Sequence, residues 1–363
     1  MIHGHGGNIY ELARRVGCDP SEIVDMSSNV NPMGPPPGLA AFLKNSFDRI
    51  TALPEVDSAG IRRAFSKKYG VDAERVIAGN GTTQFIYSIP LALGSRHALI
   101  LVPAYADYAD ACRMHGTDIS FLTAGPETSF AYTRDEIAAA IEKSGADLVF
   151  ICNPNNPTGV YMAPETVQSL CAGYPDAVFV VDESYLSFLD GGEAKSLMHQ
   201  DRYDNLIVLH SMSKIFGIPG LRIGFAVASG RLIQRLDAYN LPWCANSLAQ
   251  AAVSWLMASD KVDGFVAETL ALLEAEKAFF CEKLAAADYL ALFPSTTSFV
   301  LAMLSKGHTA ASVCRRLGDR RILIRNCDNF QGLDHRFVRF SLKLRPQNQR
   351  LVAALEEIAL QET

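Results

Sequence analysis

Basic charge in excess is what this chain of 363 residues lacks: Lys plus Arg number 33 against 39 Asp plus Glu, a formal charge of −6. A nucleic-acid binder draws most of its affinity from a basic surface, so none is expected as a partner. Any anionic ligand must be held by local cations. No apolar run approaches the roughly 18 residues of a membrane-spanning helix, so no membrane partner is expected. The start, "MIHGHGGNIYELARRVG", has no basic segment followed by an apolar one and does not read as a signal peptide. The eight cysteines are scattered with no C-x-x-C pair. A chain of this size needs no disulfides, so reduced thiols and a cytoplasmic location are expected. Internal repeats and low-complexity tracts are also missing. His3 and His5 have metal-like spacing, but at a terminus the pair reads as no site, and no metal is expected.

What is present fits a globular enzyme. Hydrophobic residues make up 49% and charged ones 20%, and the length suggests about two domains. Short apolar runs end abruptly at polar or Gly/Pro residues: Val76–Ala78, Ala98–Val102, Leu148–Cys152, Ala177–Val181, Leu206–Leu209, then "RIGFAVASG". Such runs predict strands buried on both faces. Helical stretches lie between them, as in "TRDEIAAAIEKSG", where Thr133 and Glu136 form a capping box. The alternation predicts an α/β domain with a mostly parallel sheet and helices on both faces. After about residue 235 long helices give way to the strand candidates "TSFVLAML", "RILIRNC" and "RFVRFSLK", which predict a smaller α+β domain. The expected division is an N-terminal arm over 1–40, a large domain over 41–235 and a small domain over 236–363.

Ligands of open α/β sheets bind beyond the carboxyl ends of the strands, and these strands end in chemistry-bearing residues. Gly81 and Thr82 open a helix whose free N–H groups suit a phosphate. Tyr105 follows one strand, Asn156 lies in "NPNNPTG", Asp182 and Tyr185 in "DESY", and Ser211, Ser213, Lys214 and Arg222 in "SMSKIFGIPGLRIG". Together they suit pyridoxal 5'-phosphate. Lys214 offers an amine for its aldehyde. A fixed carboxylate at Asp182 keeps its ring nitrogen protonated. Asn156 and Tyr185 donate to its phenolic oxygen, and Tyr105 stacks on its ring. Ser211, Ser213, Arg222 and the helix start hold its phosphate. The blander readings are a helix cap for Asp182 and a core aromatic for Tyr105.

"NPNNPTG", "DESY" and "SMSKIFGIPGLRIG" resemble the fold type I aminotransferase superfamily of pyridoxal-phosphate enzymes. "HGGNIYELARRVG", "DMSSNVNPMGPPPG", "AGNGTTQ", "LPWCANSLA" and "RILIRNCDNFQGLDHRFVR" are similar to its L-threonine-O-3-phosphate decarboxylases, with the histidinol-phosphate aminotransferases as the second family. The resemblance runs from about His5 to the last helix. It implies that Lys214 is the Schiff-base lysine, Asp182 the pyridinium partner and Tyr185 a donor to the phenolic oxygen. It also implies that Asn31, Asn156, Arg325, Arg339 and the arm at His5 and Gly6 meet a small phosphorylated amino acid. The implied reaction is loss of CO2 in cobalamin biosynthesis, or transamination of histidinol phosphate in the alternative, in a homodimer. Two positions depart from the pattern. Leu53 stands where a tyrosine usually precedes Pro54, and Lys343 replaces an arginine, giving a point charge instead of a bidentate fork.

Overall fold

The computed structural model describes residues 6–360. The chain opens with α1 (Ile9–Val16), β1 (Val24–Asp25), α2 (Leu39–Asn45) and α3 (Ala59–Tyr69). It then alternates: β2 (Val76–Gly79), α4 (Gly81–Leu93), β3 (His97–Val102), α5 (Asp107–Met114), β4 (Asp118–Thr123), α6 (Arg134–Ser144), β5 (Leu148–Cys152), α7 (Pro164–Gly173), β6 (Val178–Asp182), β7 (Leu206–Ser211), α8 (Met212–Ile215), β8 (Gly224–Ala228) and α9 (Gly230–Asp237). The last third holds α10 (Ser247–Ala258), α11 (Val262–Leu284), β9 (Leu290–Leu292), β10 (Phe299–Leu304), α12 (Ala310–Asp319), β11 (Ile322–Leu323), β12 (Arg325–Asn326), β13 (Phe337–Ser341) and α13 (Arg345–Leu360).

A seven-stranded sheet runs in the order β2-β8-β7-β6-β5-β3-β4. The pairs from β7 to β4 are parallel, and β8 alone runs against both its neighbours. Successive side chains of a strand point to opposite faces, and here both faces are apolar. Leu99, Val149, Phe179 and Val208 enter one core; Ile100, Phe150, Val180 and Leu209 enter the other. This parity sets the site. Asp182 and Ser211 fall on the face covered by α4 and α5, whereas His210 falls on the opposite face against α3.

The Thr133–Glu136 capping box is present at the start of α6. The sequence reading passed over β4, an edge strand with a half-buried, half-exposed pattern and no continuous apolar run.

A second sheet, β12-β13-β10-β9, is antiparallel throughout. "RILIRNC" does not form one strand. Ile322 and Leu323 pair in parallel with β1, while Arg325 and Asn326 pair with β13. The break at Ile324 ties the N-terminal segment to the small sheet and frees Arg325 to lie beside Arg339. Among the described residues no helix is long and apolar enough to cross a membrane.

Candidate active site

The carboxyl ends of β5, β6 and β7 and the start of α4 converge beside Lys214. Two adjoining cavities open there, one of about 90 Å³ and one of about 160 Å³. Tyr105, Asn156, Tyr185 and Lys214 line both. The smaller adds Thr82, Thr83, Tyr108, Cys152, Asp182 and Ser184; the larger adds Gly6, Ser27, Ser28, Asn29, Arg325, Asn329, Phe330 and Arg339.

Lys214 is half-buried, and its amine is lowered to about 8 by desolvation first, then by the positive charges of Arg222 and Arg339, with Asp182 opposing. An amine so placed is substantially neutral in mildly alkaline solution and able to attack a carbonyl. Burial pushes the Asp182 carboxyl up, and its hydrogen bonds oppose that: Ser184 donates to Oδ1 from N–H at 3.0 Å and from Oγ at 2.5 Å, and Tyr108 Oη donates to Oδ2 at 2.8 Å. Asn29 Nδ2 donates to Tyr185 Oη at 3.2 Å, which leaves the phenol's own proton free to be donated elsewhere.

Burial fixes α4 at the phosphate end. Gly81 adopts φ +70, and a Cβ on it would lie 2.6 Å from Arg222 Nη2. A Cβ on Gly224 would meet the Thr82 backbone nitrogen at 2.7 Å. The two glycines thus let Arg222 and β8 close on the first turn of α4, whose N–H groups receive no cap from the Asn80 side chain. A free helix N-terminus beside a guanidinium is an anion cradle.

The opposite wall is built from the small sheet. Arg325 and Arg339 are direct partners in the antiparallel register of β12 and β13, so their side chains share a face. Like charges set opposite each other repel. Arg339 is buried, gives Nη2 to Ser27 O at 2.7 Å and Nη1 to Asn156 Oδ1, and its Nε has no partner. Its guanidinium lies over Phe299, with centroid distance 5.2 Å. Arg325 gives Nη2 to Asn329 at 2.6 Å and lies over Phe330 at 5.0 Å. An unsatisfied donor on a buried cation is costly, and the two guanidinium groups that line the cavity favour an anion there.

Residues 21–355 match the family described as aminotransferase class I and II. The chain belongs to that family. Within it, the chain is 31% identical over 98% of its length to the threonine-phosphate decarboxylase of Salmonella typhimurium, covering 96% of that protein. It is also 31% identical to the adenosylcobalamin biosynthesis bifunctional protein CobDQ of Leptospira interrogans, of whose length it spans 41%. The crystal structure of L-threonine-O-3-phosphate decarboxylase from Porphyromonas gingivalis superposes with a TM-score of 0.81 at 31% identity, over 93% of this chain and 99% of that one. These matches agree with the fold type I architecture of a mostly parallel large sheet plus a separate antiparallel one. The donor set above fits the pyridoxal 5'-phosphate of this family: a half-buried amine, a buried carboxylate on the same side of the sheet as the anion cradle, and phenol and amide donors between.

Most residues singled out in the sequence meet at the two cavities. Gly81, Ser211, Ser213 and Arg222 line neither cavity: Gly81 lies against Arg222 next to the lining residue Thr82, and Ser211 and Ser213 are buried beside Lys214 in the chain, with Ser211 Oγ accepting the Ser213 N–H at 3.3 Å. His5 lies outside the described residues. Asn31 is a correction. It does not reach the cavity wall, because its Nδ2 is taken by Ile215 O at 2.7 Å and Thr269 Oγ1 at 2.9 Å, and its N–H by Lys214 O at 3.0 Å. It braces the lysine loop, and Asn29 occupies the wall instead. Sequence reasoning missed Asn29, Ser184 and Tyr108. Tyr108 had a signal: it stands three residues after Tyr105 on a helix start, the spacing that shares a face.

Proposed function

We propose that the chain decarboxylates a small O-phosphorylated amino acid, L-threonine O-3-phosphate, giving (R)-1-amino-2-propanol O-phosphate and CO2 for cobalamin biosynthesis. The observation that carries this reading is the register pair Arg325 and Arg339, two cations facing the cavity that also holds the Lys214 amine. Such a wall suits a substrate with two anionic ends. Bound in the smaller cavity, pyridoxal 5'-phosphate supplies an electron-withdrawing ring that stabilises charge left on the α-carbon.

Each residue then has a task. Arg222, the α4 amides, Ser211 and Ser213 hold the cofactor phosphate. Asp182 would serve as partner to the ring nitrogen, Tyr185 and Asn156 as donors to the phenolic oxygen, and Tyr105 as the aromatic neighbour of the ring. Arg325, Arg339, Gly6 and Asn29 grip carboxylate and phosphate; each charge-assisted bond contributes about 1.5–3 kcal/mol. By fixing the substrate carboxylate, these groups would select the bond to it for cleavage. CO2 leaves, and the Lys214 ammonium delivers the proton that replaces it. Lys343, half-buried with its amine lowered by burial, adds a point charge behind this wall.

Transamination of histidinol phosphate would use the same cofactor-side groups. The two readings separate on incubation with L-threonine O-3-phosphate without keto acid. Stoichiometric CO2 and amino-propanol phosphate are expected. No CO2, with glutamate formed from histidinol phosphate and 2-oxoglutarate, would overturn the decarboxylase reading.

The protein acts as a homodimer in this reading. Phe47, Ile50, Leu53, Val56, Leu241 and Trp243 are exposed, and the Trp243 N–H to Val56 O bond of 2.9 Å joins their two segments. Leu53 is 77% exposed, so the family's tyrosine position faces outward for contact with a second copy. All eight cysteines are free thiols, which suits the cytoplasm.

A further inference from the structure

We propose that Tyr108, which belongs to none of the motifs that pointed to the site, is the positioning residue for Asp182: its phenol orients the carboxylate and keeps it ionised to face the ring nitrogen of the cofactor. The inference rests on the pyridoxal-phosphate reading above.

Parity places the two residues together. Asp182 ends β6 on the face covered by α5, and Tyr108 lies on α5 with 1% of its surface exposed. Its Oη donates to Oδ2 of Asp182 at 2.8 Å. The ring is stacked on Phe150 of β5, centroids 5.1 Å apart at 14°, and Tyr105 meets it edge-on at 5.9 Å and 85°. The phenol is therefore held between a ring on β5 and a ring in the loop that leads into α5. Both residues also line the smaller cavity, so the bond sits at the wall where the cofactor ring would lie.

The carboxylate is held at both oxygens. Oδ1 takes two donors from Ser184 in its own turn, and Oδ2 takes its donor from a helix of the covering layer. A turn alone fixes one oxygen and leaves rotation about it; the second anchor removes that freedom. The titratable groups facing Asp182 are Tyr105 and Tyr108 from the α5 side, Cys152 from β5, Glu183 and Tyr185 beside it in the chain, and Lys214. Lys214 is the one cation among them, and in the reading above its amine is engaged with the cofactor. That leaves the Ser184 and Tyr108 hydrogen bonds to oppose the burial that pushes Asp182 toward its neutral form. Burial also pushes the Tyr108 phenol well above its ordinary range, so it keeps its proton at any working pH.

Tyr108→Phe tests this, because it keeps the ring and its stack and deletes only the donor. Two readouts are taken on the full-length protein. One is the infrared carboxyl band of the cofactor-free protein against pH; the other is the dissociation constant of pyridoxal 5'-phosphate from its visible absorbance. The variant is expected to protonate the buried carboxyl at a pH about one unit higher and to hold the cofactor about ten-fold more weakly. Tyr108→His, whose ring nitrogen can donate, is expected to recover most of the affinity. A variant that matches the wild type in both readouts overturns the inference, as does a change in thermal stability with neither readout moved. If the wild-type protein takes up no cofactor, the pyridoxal-phosphate reading fails, and the inference with it. If the wild type binds and Tyr108→Phe binds equally, the inference about Tyr108 fails alone.

Discussion

The two walls of the site are built on opposite plans. On the large-sheet side the carboxylate is buried and satisfied, since Asp182 has three donors, and the half-buried Lys214 is drawn toward neutrality by its surroundings. On the small-sheet side two guanidinium groups face each other across neighbouring strands, and the buried one keeps a donor without a partner. The first wall is complete without substrate. The second sets two like charges side by side, and an anion beside them would offset their repulsion. In the proposed reading, chemistry and recognition are thus divided between the sheets, the carboxylate and amine on one and the paired arginines on the other.

Breaking the chemical wall should have the largest effect. Lys214→Ala removes both the amine and the proton source, and CO2 release is expected to fall at least about a thousand-fold. The cofactor is still retained through its phosphate in equilibrium dialysis. Retained turnover would refute the assignment of Lys214.

The recognition wall should break in a graded way. Arg339→Gln is expected to lower kcat/KM about a hundred-fold, through loss of about two charge-assisted bonds, and Arg325→Gln about ten-fold, since Arg325 is only half-buried. Stability sharpens the contrast. Without substrate, Arg325→Gln should melt at a higher temperature than the wild type, because the repulsion across β12 and β13 is gone. Added phosphate should narrow the gap by stabilising the wild type more. An Arg325→Gln variant that melts lower with and without phosphate would show that the pair is not in tension.

The last prediction concerns a buried titratable group that neither wall uses. His210 packs on Phe65 and Tyr69, its two ring nitrogens have no partners, and burial lowers its pKa to about 4. The unfolded chain binds that proton at about 6.5. The neutral folded form therefore has its full stability above about 6.5 and loses it as pH falls toward about 4. Between pH 7.5 and 5 this amounts to about 2 kcal/mol. His210→Phe should flatten that part of the stability curve in denaturant titrations at the two pH values. An unchanged slope would place the acid sensitivity elsewhere.

The residues of the chemical wall were legible because each motif is contiguous. A buried strand, its polar last residue and the following turn occupy neighbouring positions, as in "DESY" and "SMSK", and local chemistry fixes their roles. Which face Asp182 and Ser211 take was not legible, because β6 and β7 are apolar on both faces. The recognition wall was legible only as two arginines. That they oppose each other follows from a break at Ile324 that sends two residues to β1 and two to β13, and no local pattern marks that break. Asn29 and Asn31 illustrate the same limit. They lie two apart in "SSNVNP", and irregular backbone has no period to say which one faces the cavity. Packing decided it, because Ile215 O and Thr269 Oγ1 captured Asn31. Sequence by itself determined the alternating α/β core, the cofactor groups and their order along the chain, since these depend on apolar periodicity and adjacency. Tertiary structure alone decided which distant residues share a wall, Tyr108 with Asp182 and Arg325 with Arg339, because those pairings arise from how layers and strands of remote segments meet.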